Sequence, residues 1–287
     1  MLRNRLIFGA LMTVALIGLV LVDGWLDGTL TAGSEDDRPV RGIVLVLLVF
    51  ALLVPAYREL RALMRSRGIY LSVPIGVAGS GLLTLPWCLK HAVHPDIGPW
   101  FLGLLLVSLI AIMAEQYWCR GIDHVMVHCG AGCLALLYLG IPGSFAMAVR
   151  VDFGPWALLI YALTVKGSDI GAYTAGRLFG RHKLAPRLSP AKTWEGLCGA
   201  VVLSVVVSVL LGRFARLDTV GSQLLFGVCF GILGQLSDLA ESMLKRDAGL
   251  KDSSDTVPGF GGILDVLDSL LMPFPFAYGF YCLVAGG

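Results

Sequence analysis

The stretch SQLLFGVCFGILGQLSDLAESMLKR, residues 222–246, begins as a predominantly apolar run and ends in charged residues. An α-helix needs about 20 apolar residues to cross the hydrocarbon core of a bilayer, and residues 222–242 meet that length. Four polar residues near the end of the run are Asp238, Glu241, Ser242 and Lys245. Their spacing of i, i+3, i+4 and i+7 places them on one helix face. We therefore predict a membrane-spanning helix that presents acidic side chains at one end.

The composition of the whole chain agrees with a membrane protein. Of its 287 residues, 56% are hydrophobic and 15% are charged, whereas soluble domains average about 25% charged residues. A soluble fold could not bury this much apolar surface. The formal net charge is only +2, so no general basic field favours nucleic acid, and we expect no nucleic-acid partner. The seven cysteines are scattered without paired spacing, which argues against a disulfide framework.

Apolar runs of similar length recur along the chain, and we predict an all-α polytopic membrane protein with about nine transmembrane helices. The predicted spans are residues 5–22, 42–57, 69–89, 97–114, 127–148, 154–176, 194–212, 222–242 and 263–284. Arg3 and Arg5 precede the first run, as in a signal peptide, but the run is long and no small-x-small cleavage site follows it. We therefore expect this run to be retained as a membrane anchor.

The distribution of Lys and Arg predicts the orientation. Most of the 22 Lys and Arg residues fall on one set of alternating sides, which includes the N-terminus and the loops near residues 58–67, 177–192 and 245–251. Cytoplasmic loops carry such an excess of positive charge. We predict a cytoplasmic N-terminus, an external C-terminus and a location in the inner (cytoplasmic) membrane of the cell, with the active site facing the cytoplasm. Residues 23–41 are interpreted as a flexible external loop without chemistry.

We expect residues 1–287 to form one membrane domain with two functional halves. Residues 1–150 carry almost no charge within their predicted spans and are interpreted as a helical scaffold, whereas residues 151–287 place many ionisable side chains within or beside theirs. A charged group in a membrane helix costs about 2.5–3.5 kcal/mol on insertion scales. Pairing, metal binding or a water-filled cavity must offset that cost, so we place the catalytic helices and cytoplasmic loops in residues 151–287.

One charged segment of this half begins at Lys166, which precedes Asp169 by about one helical turn. Gly171 and Gly176 follow and would allow another helix to approach closely. The segment is interpreted either as a Lys–Asp pair at a membrane boundary or as part of a polar site.

A second segment, residues 188–196, suggests an anion site. We expect Ser189 to cap a helix that begins at Pro190, because proline suits the first helical turn. Lys192 and Thr193 would then lie at a helix N-terminus, where free amides and the helix dipole attract phosphate. The alternative is an ordinary helix cap with an interfacial Trp194.

The quoted stretch continues through a glycine-rich turn into a second acidic helix, in which Asp265 and Asp268 are spaced i, i+3. Two acidic helix faces that meet across a short loop would form a cage of carboxylate oxygens. Mg²⁺ prefers such ligands, with substrate phosphates completing its shell. Lys245, Arg246 and Lys251 would neutralise phosphate charge nearby. The alternative is a set of salt bridges that only hold helices together, but the acids outnumber these bases.

This segment resembles the signature of the phosphatidate cytidylyltransferase family. The matching residues, with the family's spacing throughout, are Ser242-x-x-Lys245-Arg246, four residues, Lys251-Asp252, then Pro258-Gly259-Phe260-Gly261-Gly262, then Asp265-Val266-x-Asp268. Two upstream segments are similar to the family's cytoplasmic segments: Ser168-Asp169 with a following Gly-Arg, and Ser189-Pro190-x-Lys192-Thr193-x-Glu195-Gly196. The resemblance covers about residues 166–269, and the first half of the chain is similar only in hydropathy and number of spans.

The resemblance implies that phosphatidic acid attacks the α-phosphorus of CTP, giving CDP-diacylglycerol and pyrophosphate for phospholipid biosynthesis. The catalytic residues that it implies are Asp238, Asp265, Asp268 and Lys245. The ligands that it implies for Mg²⁺ are Asp238, Asp265, Asp268 and Glu241, with a second, monovalent cation left open. The substrate-binding residues are Ser242, Arg246, Lys251, Asp252, Lys192, Thr193 and Asp169.

Two residues depart from the family pattern, since Phe260 stands where the family usually has His and Val266 where it often has Arg. The missing Arg removes one phosphate contact, but neither change removes a carboxylate.

The alternatives to this function are a cation-coupled secondary transporter and another CTP-dependent lipid nucleotidyltransferase or a lipid kinase. A transporter predicts acids near the membrane midplane and symmetry between the two halves of the sequence, whereas the acids here cluster at one predicted cytoplasmic end. A CDP-alcohol phosphotransferase would carry an Asp-Gly-x-x-Ala-Arg run, which this sequence lacks. Glycine-rich spans permit close helix contacts, including those of a homodimer.

Overall fold

The computed structural model describes residues 2–30, 41–90, 97–215, 217–257 and 261–285. Within these ranges the chain forms α-helices joined by short turns, with one small antiparallel hairpin. The elements in chain order are α1 (Leu2–Leu26), α2 (Ile43–Arg65), α3 (Val73–Cys88), α4 (Gly98–Arg120), α5 (Val125–Ala135), a π-helical turn (Leu136–Gly140), α6 (Ile141–Phe179), β1 (Lys183–Ala185), β2 (Ser189–Thr193), α7 (Trp194–Leu211), a 3₁₀ turn (Gly212–Ala215), α8 (Val220–Asp247), α9 (Ile263–Leu271) and α10 (Phe274–Ala285).

The predicted helical membrane class is confirmed by the length and hydropathy of these helices. Six helices of the described ranges are long and apolar enough to cross a bilayer: Ile43–Arg65, Gly98–Arg120, Val125–Phe179, Trp194–Ala215, Val220–Asp247 and Ile263–Val284. Two further apolar helices are shorter, Leu11–Leu26 and Val73–Cys88. The predicted spans 127–148 and 154–176 lie in one helical stretch, Val125–Phe179. This stretch is kinked at Gly154 (φ 87°, ψ 176°), where the backbone leaves helical geometry before Pro155.

The helix start predicted at Pro190, with Ser189 as its cap, is wrong. Residues Ser189–Thr193 form strand β2, which pairs antiparallel with β1. Thr193 is extended (φ −130°, ψ 159°), and its hydroxyl accepts a hydrogen bond from the Gly196 amide at 3.0 Å, so α7 begins only at Trp194. Thr193 therefore performs the capping role that the prediction assigned to Ser189.

Glycines set how closely α6, α7 and α8 approach one another. A Cβ atom placed on Gly171 of α6 would lie 2.3 Å from the Gly199 carbonyl oxygen of α7, and one on Gly227 of α8 would lie 2.5 Å from the Val205 Cα of α7. Small residues at such crossings allow the backbones of membrane helices to touch. The three helices consequently form a tight bundle that fixes the relative depth of their polar residues.

Helix α9 is short and packs on α2, α6 and α8. The Tyr161 hydroxyl of α6 donates to the Leu270 carbonyl at 2.6 Å, and the Ser237 hydroxyl of α8 donates to the Asp268 carbonyl. These buried contacts connect the last turns of α9 to both long helices. The ion pair between Lys245 and Asp265 holds the N-terminal part of α9 against the C-terminal part of α8.

A buried ion-pair network lies at the start of α6. Arg150 is 0% exposed, and its guanidinium contacts Asp23 at 2.7 Å and Asp27 at 2.6 Å. Asp23 also accepts a hydrogen bond from the Val44 amide of α2 at 2.8 Å. The interpretation of residues 23–41 as a flexible loop is therefore wrong for Asp23 and Asp27, because they connect α1 to α2 and α6. Residues 31–40 lie outside the described ranges.

Candidate active site

The structure brings three of the predicted acids together where α8 meets α9. Asp238 and Glu241 come from α8 and Asp268 comes from α9, and each offers one carboxylate oxygen such that the three atoms lie within 4.8 Å of one another. Glu241 is 0% exposed, and the other two residues are half-buried. Asp238 and Glu241 share a face because α8 stays regular, and the α8–α9 packing supplies Asp268. We call these three residues the acidic cluster.

Asp265 lies beside the acidic cluster but has other partners. Its Oδ1 accepts from the Lys245 ammonium at 2.5 Å. Its Oδ2 accepts from the Ser253 amide at 2.8 Å, the Ser253 hydroxyl at 2.7 Å and the Gly262 amide at 2.7 Å. Both carboxylate oxygens are therefore occupied by donors of this chain. The geometry makes Asp265 an anchor between Lys245 and the loop that precedes α9, and its role as a metal ligand stays a prediction.

Two lysines approach the acidic cluster from different elements. The Lys245 ammonium contacts both Glu241, one turn earlier on α8, and Asp265. The Lys192 ammonium reaches from β2 to Asp238 at 2.8 Å and to the Gln235 carbonyl at 3.0 Å. The strand conformation of β2 directs Lys192 to the cluster, so this residue joins the site by a different route from the helix N-terminus predicted for it.

The carboxylate oxygens of the acidic cluster are suitable ligands for a divalent cation. Both Glu241 oxygens are buried and lack a hydrogen-bond partner among the described residues, apart from the ion pair of Oε2 with Lys245. Asp268 accepts from the Ser269 amide at 2.5 Å and forms no ion pair within the described part of the chain. Buried charge without compensation is expensive. Carboxylate oxygens spaced in this way are ligands that Mg²⁺ accepts, so Asp238, Glu241 and Asp268 could hold one.

Asp169 of α6 belongs to a neighbouring polar network. Its oxygens accept from the Gln235 amide nitrogen at 3.1 Å, the Ser269 hydroxyl at 2.8 Å and the Lys166 ammonium at 3.3 Å. The Lys166 ammonium also donates to the Val266 carbonyl at 2.9 Å. Both interpretations of the Lys166 segment thus hold in part, because the Lys–Asp pair exists and it joins α6 to the helices that carry the acidic cluster.

The remaining predicted substrate residues lie around the C-terminal end of α8. The Ser242 hydroxyl is 3.4 Å from Asp238 Oδ1, and the exposed Arg246 donates to the Leu188 and Leu250 carbonyls at 3.1 Å. Lys251 and Asp252 are exposed. The Thr193 hydroxyl is engaged in capping α7, and the Val266 carbonyl is bound by Lys166. Phe260 lies outside the described residues.

Glu59 of α2 is a buried acid that the sequence interpretation missed. It is 6% exposed and accepts hydrogen bonds from the segment between α8 and α9 and from the first turn of α9. The predicted span ended at residue 57, which left Glu59 in the basic loop that follows, whereas α2 continues to Arg65. The assumption that residues 1–150 form a nearly uncharged scaffold also obscured this acid.

Comparisons with known proteins extend the similarity into the first half of the chain. The sequence model of the cytidylyltransferase family matches residues 39–284. A Haemophilus influenzae protein named phosphatidate cytidylyltransferase is 40% identical over 136 residues, which cover 46% of this chain and 47% of that protein. Proteins of the same name from Staphylococcus saprophyticus and Staphylococcus aureus are 33% and 36% identical over 238 and 239 residues, covering 82% and 80% of this chain and 88% of each relative.

Proposed function

The chain belongs to the cytidylyltransferase family, and we propose that it is a phosphatidate cytidylyltransferase, which makes CDP-diacylglycerol and pyrophosphate from CTP and phosphatidate. The observation that carries this proposal is the acidic cluster, in which oxygens of Asp238, Glu241 and Asp268 lie within 4.8 Å of one another. The relatives that cover most of the chain bear that enzyme's name. A cluster on membrane helices suits a reaction between a water-soluble nucleotide and a lipid.

In the proposed reaction, a phosphate oxygen of phosphatidate forms a bond to the α-phosphorus of CTP, and the bond between that phosphorus and the α–β bridging oxygen breaks. The electron pair leaves with pyrophosphate. Catalysis of phosphoryl-type transfer rests mainly on positioning and charge stabilisation. No protein nucleophile is needed, because the lipid phosphate supplies the attacking oxygen.

We propose Asp238, Glu241 and Asp268 as ligands of Mg²⁺, with a second, monovalent cation nearby and Asp265 as an anchoring acid. Held by these residues, Mg²⁺ would polarise phosphate oxygens and offset the charge of the leaving pyrophosphate. Lys245 is held by two carboxylates and would present its positive charge to the phosphates at a defined position. Lys192, Arg246 and Lys251 supply further charge on the same side, where each phosphate contact would lower repulsion between the two anionic substrates.

We also propose nine spans, a cytoplasmic N-terminus, and the inner membrane as location. The orientation is supported by the position of the basic loops, which lie at the same end of the molecule as the acidic cluster. Arg67, after α2, pairs with Asp247 at the end of α8 at 3.3 Å, and Arg246 reaches Leu188 in the hairpin. A cation-coupled transporter would instead place its acids at a midplane between repeats.

The test is incorporation of radiolabelled CTP into phosphatidate-dependent lipid product by the purified chain in detergent. Asp268→Asn should reduce kcat by at least about 100-fold and abolish the response to added Mg²⁺, since loss of one charge-stabilising group typically costs that much. Asp152→Asn is the matched control, because Asp152 is a half-buried acid that pairs with Lys90 at 2.7 Å outside the acidic cluster. Full Mg²⁺-dependent activity in Asp268→Asn would overturn the cation role, and an inactive wild-type chain would overturn the function.

A further inference from the structure

Glu59 connects the N-terminal half of the chain to the loop that leads into α9. Its Oε1 accepts from the Ser254 hydroxyl at 2.7 Å and the Ile263 amide at 2.9 Å. Its Oε2 accepts from the Ser253 hydroxyl at 2.9 Å and the Leu264 amide at 2.9 Å. The Thr256 hydroxyl also donates to Oε1, at 3.4 Å. Five donors therefore converge on one buried carboxylate, which lies in a helix distant in sequence from all of them.

These contacts complete the N-terminal cap of α9, where Asp265 accepts only the Gly262 amide at 2.7 Å. The first amides of a helix need acceptors from outside the helix, which a capping side chain usually provides. Here the N-cap is Gly262, which has no side chain. Glu59 binds the amides of Ile263 and Leu264 instead, and its negative charge lies at the positive end of the helix dipole.

Gly262 leaves the space that the Glu59 carboxylate occupies. A Cβ atom at this position would lie 2.3 Å from Glu59 Oε2 and 2.0 Å from the Ser253 hydroxyl oxygen. The close approach explains physically why a glycine stands before α9. It also ties the glycine-rich turn to an acid of α2, far away along the chain.

The cap lies next to the catalytic side chains. Ser253 is within hydrogen-bond distance of both Glu59 Oε2 (2.9 Å) and Asp265 Oδ2 (2.7 Å), and Asp265 in turn binds Lys245, which pairs with Glu241 of the acidic cluster. The single hydroxyl proton of Ser253 can be donated to only one of these two carboxylates at a time. The position of Asp265, and with it that of Lys245, therefore depends on where Glu59 holds Ser253 and the first turn of α9.

We propose that Glu59 is a positioning residue for cytidylyl transfer, acting through Ser253 and Asp265 on Lys245 and the acidic cluster. This proposal rests on the proposed function for its kinetic consequence, and on the geometry alone for its effect on the cluster. A purely structural role would lower stability and leave the turnover of folded enzyme unchanged.

The experiment compares Glu59→Gln with wild type and with Glu115→Gln in detergent. Glu115 is the control, since it is also an acid of the N-terminal half, bound to the Tyr70 hydroxyl at 3.1 Å. In Glu59→Gln, the side-chain NH₂ group would face hydrogen-bond donors that now bind a carboxylate oxygen. We therefore expect kcat per folded molecule to fall at least about tenfold in Glu59→Gln and less than about twofold in Glu115→Gln. Ser253→Ala, combined with Glu59→Gln, should add little to the larger single effect, because both act along one path.

A second readout separates this proposal from the function itself. Mn²⁺ binding, followed by electron paramagnetic resonance on the same proteins without substrates, should weaken at least about threefold in Glu59→Gln, because losing the groups that orient the ligands of a metal weakens its binding. If wild type lacks CTP incorporation, the function fails and the Mn²⁺ affinities alone decide the role of Glu59. Unchanged kcat per folded molecule together with unchanged Mn²⁺ affinity would overturn the proposal, as would full additivity of the two substitutions.

Discussion

Lys245 offers the most direct test of how the acidic site is stabilised. Its ammonium is buried, with the residue 7% exposed, and it contacts the carboxylates of Glu241 and Asp265. Substitution by methionine keeps a similar length and apolar stem but removes the charge. The two acids would then remain in a poorly solvated place without their shared cation.

The expected loss of stability follows from that burial. Removing one partner of a buried ion pair costs about 3–5 kcal/mol, because the other charge is left uncompensated. Lys90→Met is the control, since Lys90 pairs with Asp152 at 2.7 Å with side chains 21% and 14% exposed. That pair is more accessible to solvent, so its loss should cost about 1 kcal/mol. At roughly 2–4 °C per kcal/mol for a chain of this size, Lys245→Met should melt about 10 °C lower.

The assay is thermal unfolding of the purified variants in detergent, with EDTA and with Mg²⁺ added. Mg²⁺ should recover part of the loss in Lys245→Met, because a bound cation would replace some of the missing positive charge, and it should not affect Lys90→Met differently from wild type. Activity should fall by at least about 100-fold, since in the proposed reaction the lysine would also face the substrate phosphates. A melting temperature of Lys245→Met within about 2 °C of that of Lys90→Met would refute the reasoning.

Two further predictions concern the packing that positions the site. Gly199→Ala should lower the free energy of unfolding by about 1–3 kcal/mol through overpacking, because the added Cβ would lie 2.3 Å from the Cβ of Ala175. Thermal unfolding measures this loss. Gly103→Ala is the control, since nothing lies within 4 Å of a Cβ added there. Thr193→Val should cost about 1 kcal/mol by removing the cap of α7. Thr193→Ser should keep that cap and melt near wild type, and equal losses in both variants would contradict the assignment.

The sequence predicted the acidic site well where the information was local. The spacing of Asp238 and Glu241 places them on one face of any regular helix, and α8 is regular there. The same argument was insufficient for Asp265 and Asp268, which share a helix yet have different partners. Asp268 joins the cluster, whereas Asp265 accepts donors from Lys245 and Ser253. Spacing alone does not predict which neighbour each carboxylate meets.

The hairpin shows a second limit of local patterns. Serine and proline at positions 189–190 satisfy the usual signals of a helix start, and Thr193 also suits a helix cap. The pairing of β2 with β1 makes Thr193, and not Ser189, the helix cap. It keeps residues 189–193 extended and leaves Thr193 at the junction between β2 and α7. The contact between Lys192 and Asp238 follows from that choice.

By itself, the sequence determined the membrane class, the helical architecture and the acidic face of α8, because hydropathy and helical periodicity depend only on residues near one another in the chain. Only the tertiary structure decided that Glu59 caps α9, that Asp268 rather than Asp265 completes the acidic cluster, and that Lys192 reaches it from a strand. These contacts join residues far apart in sequence. Their register is set by how closely whole helices pack, which no local pattern encodes.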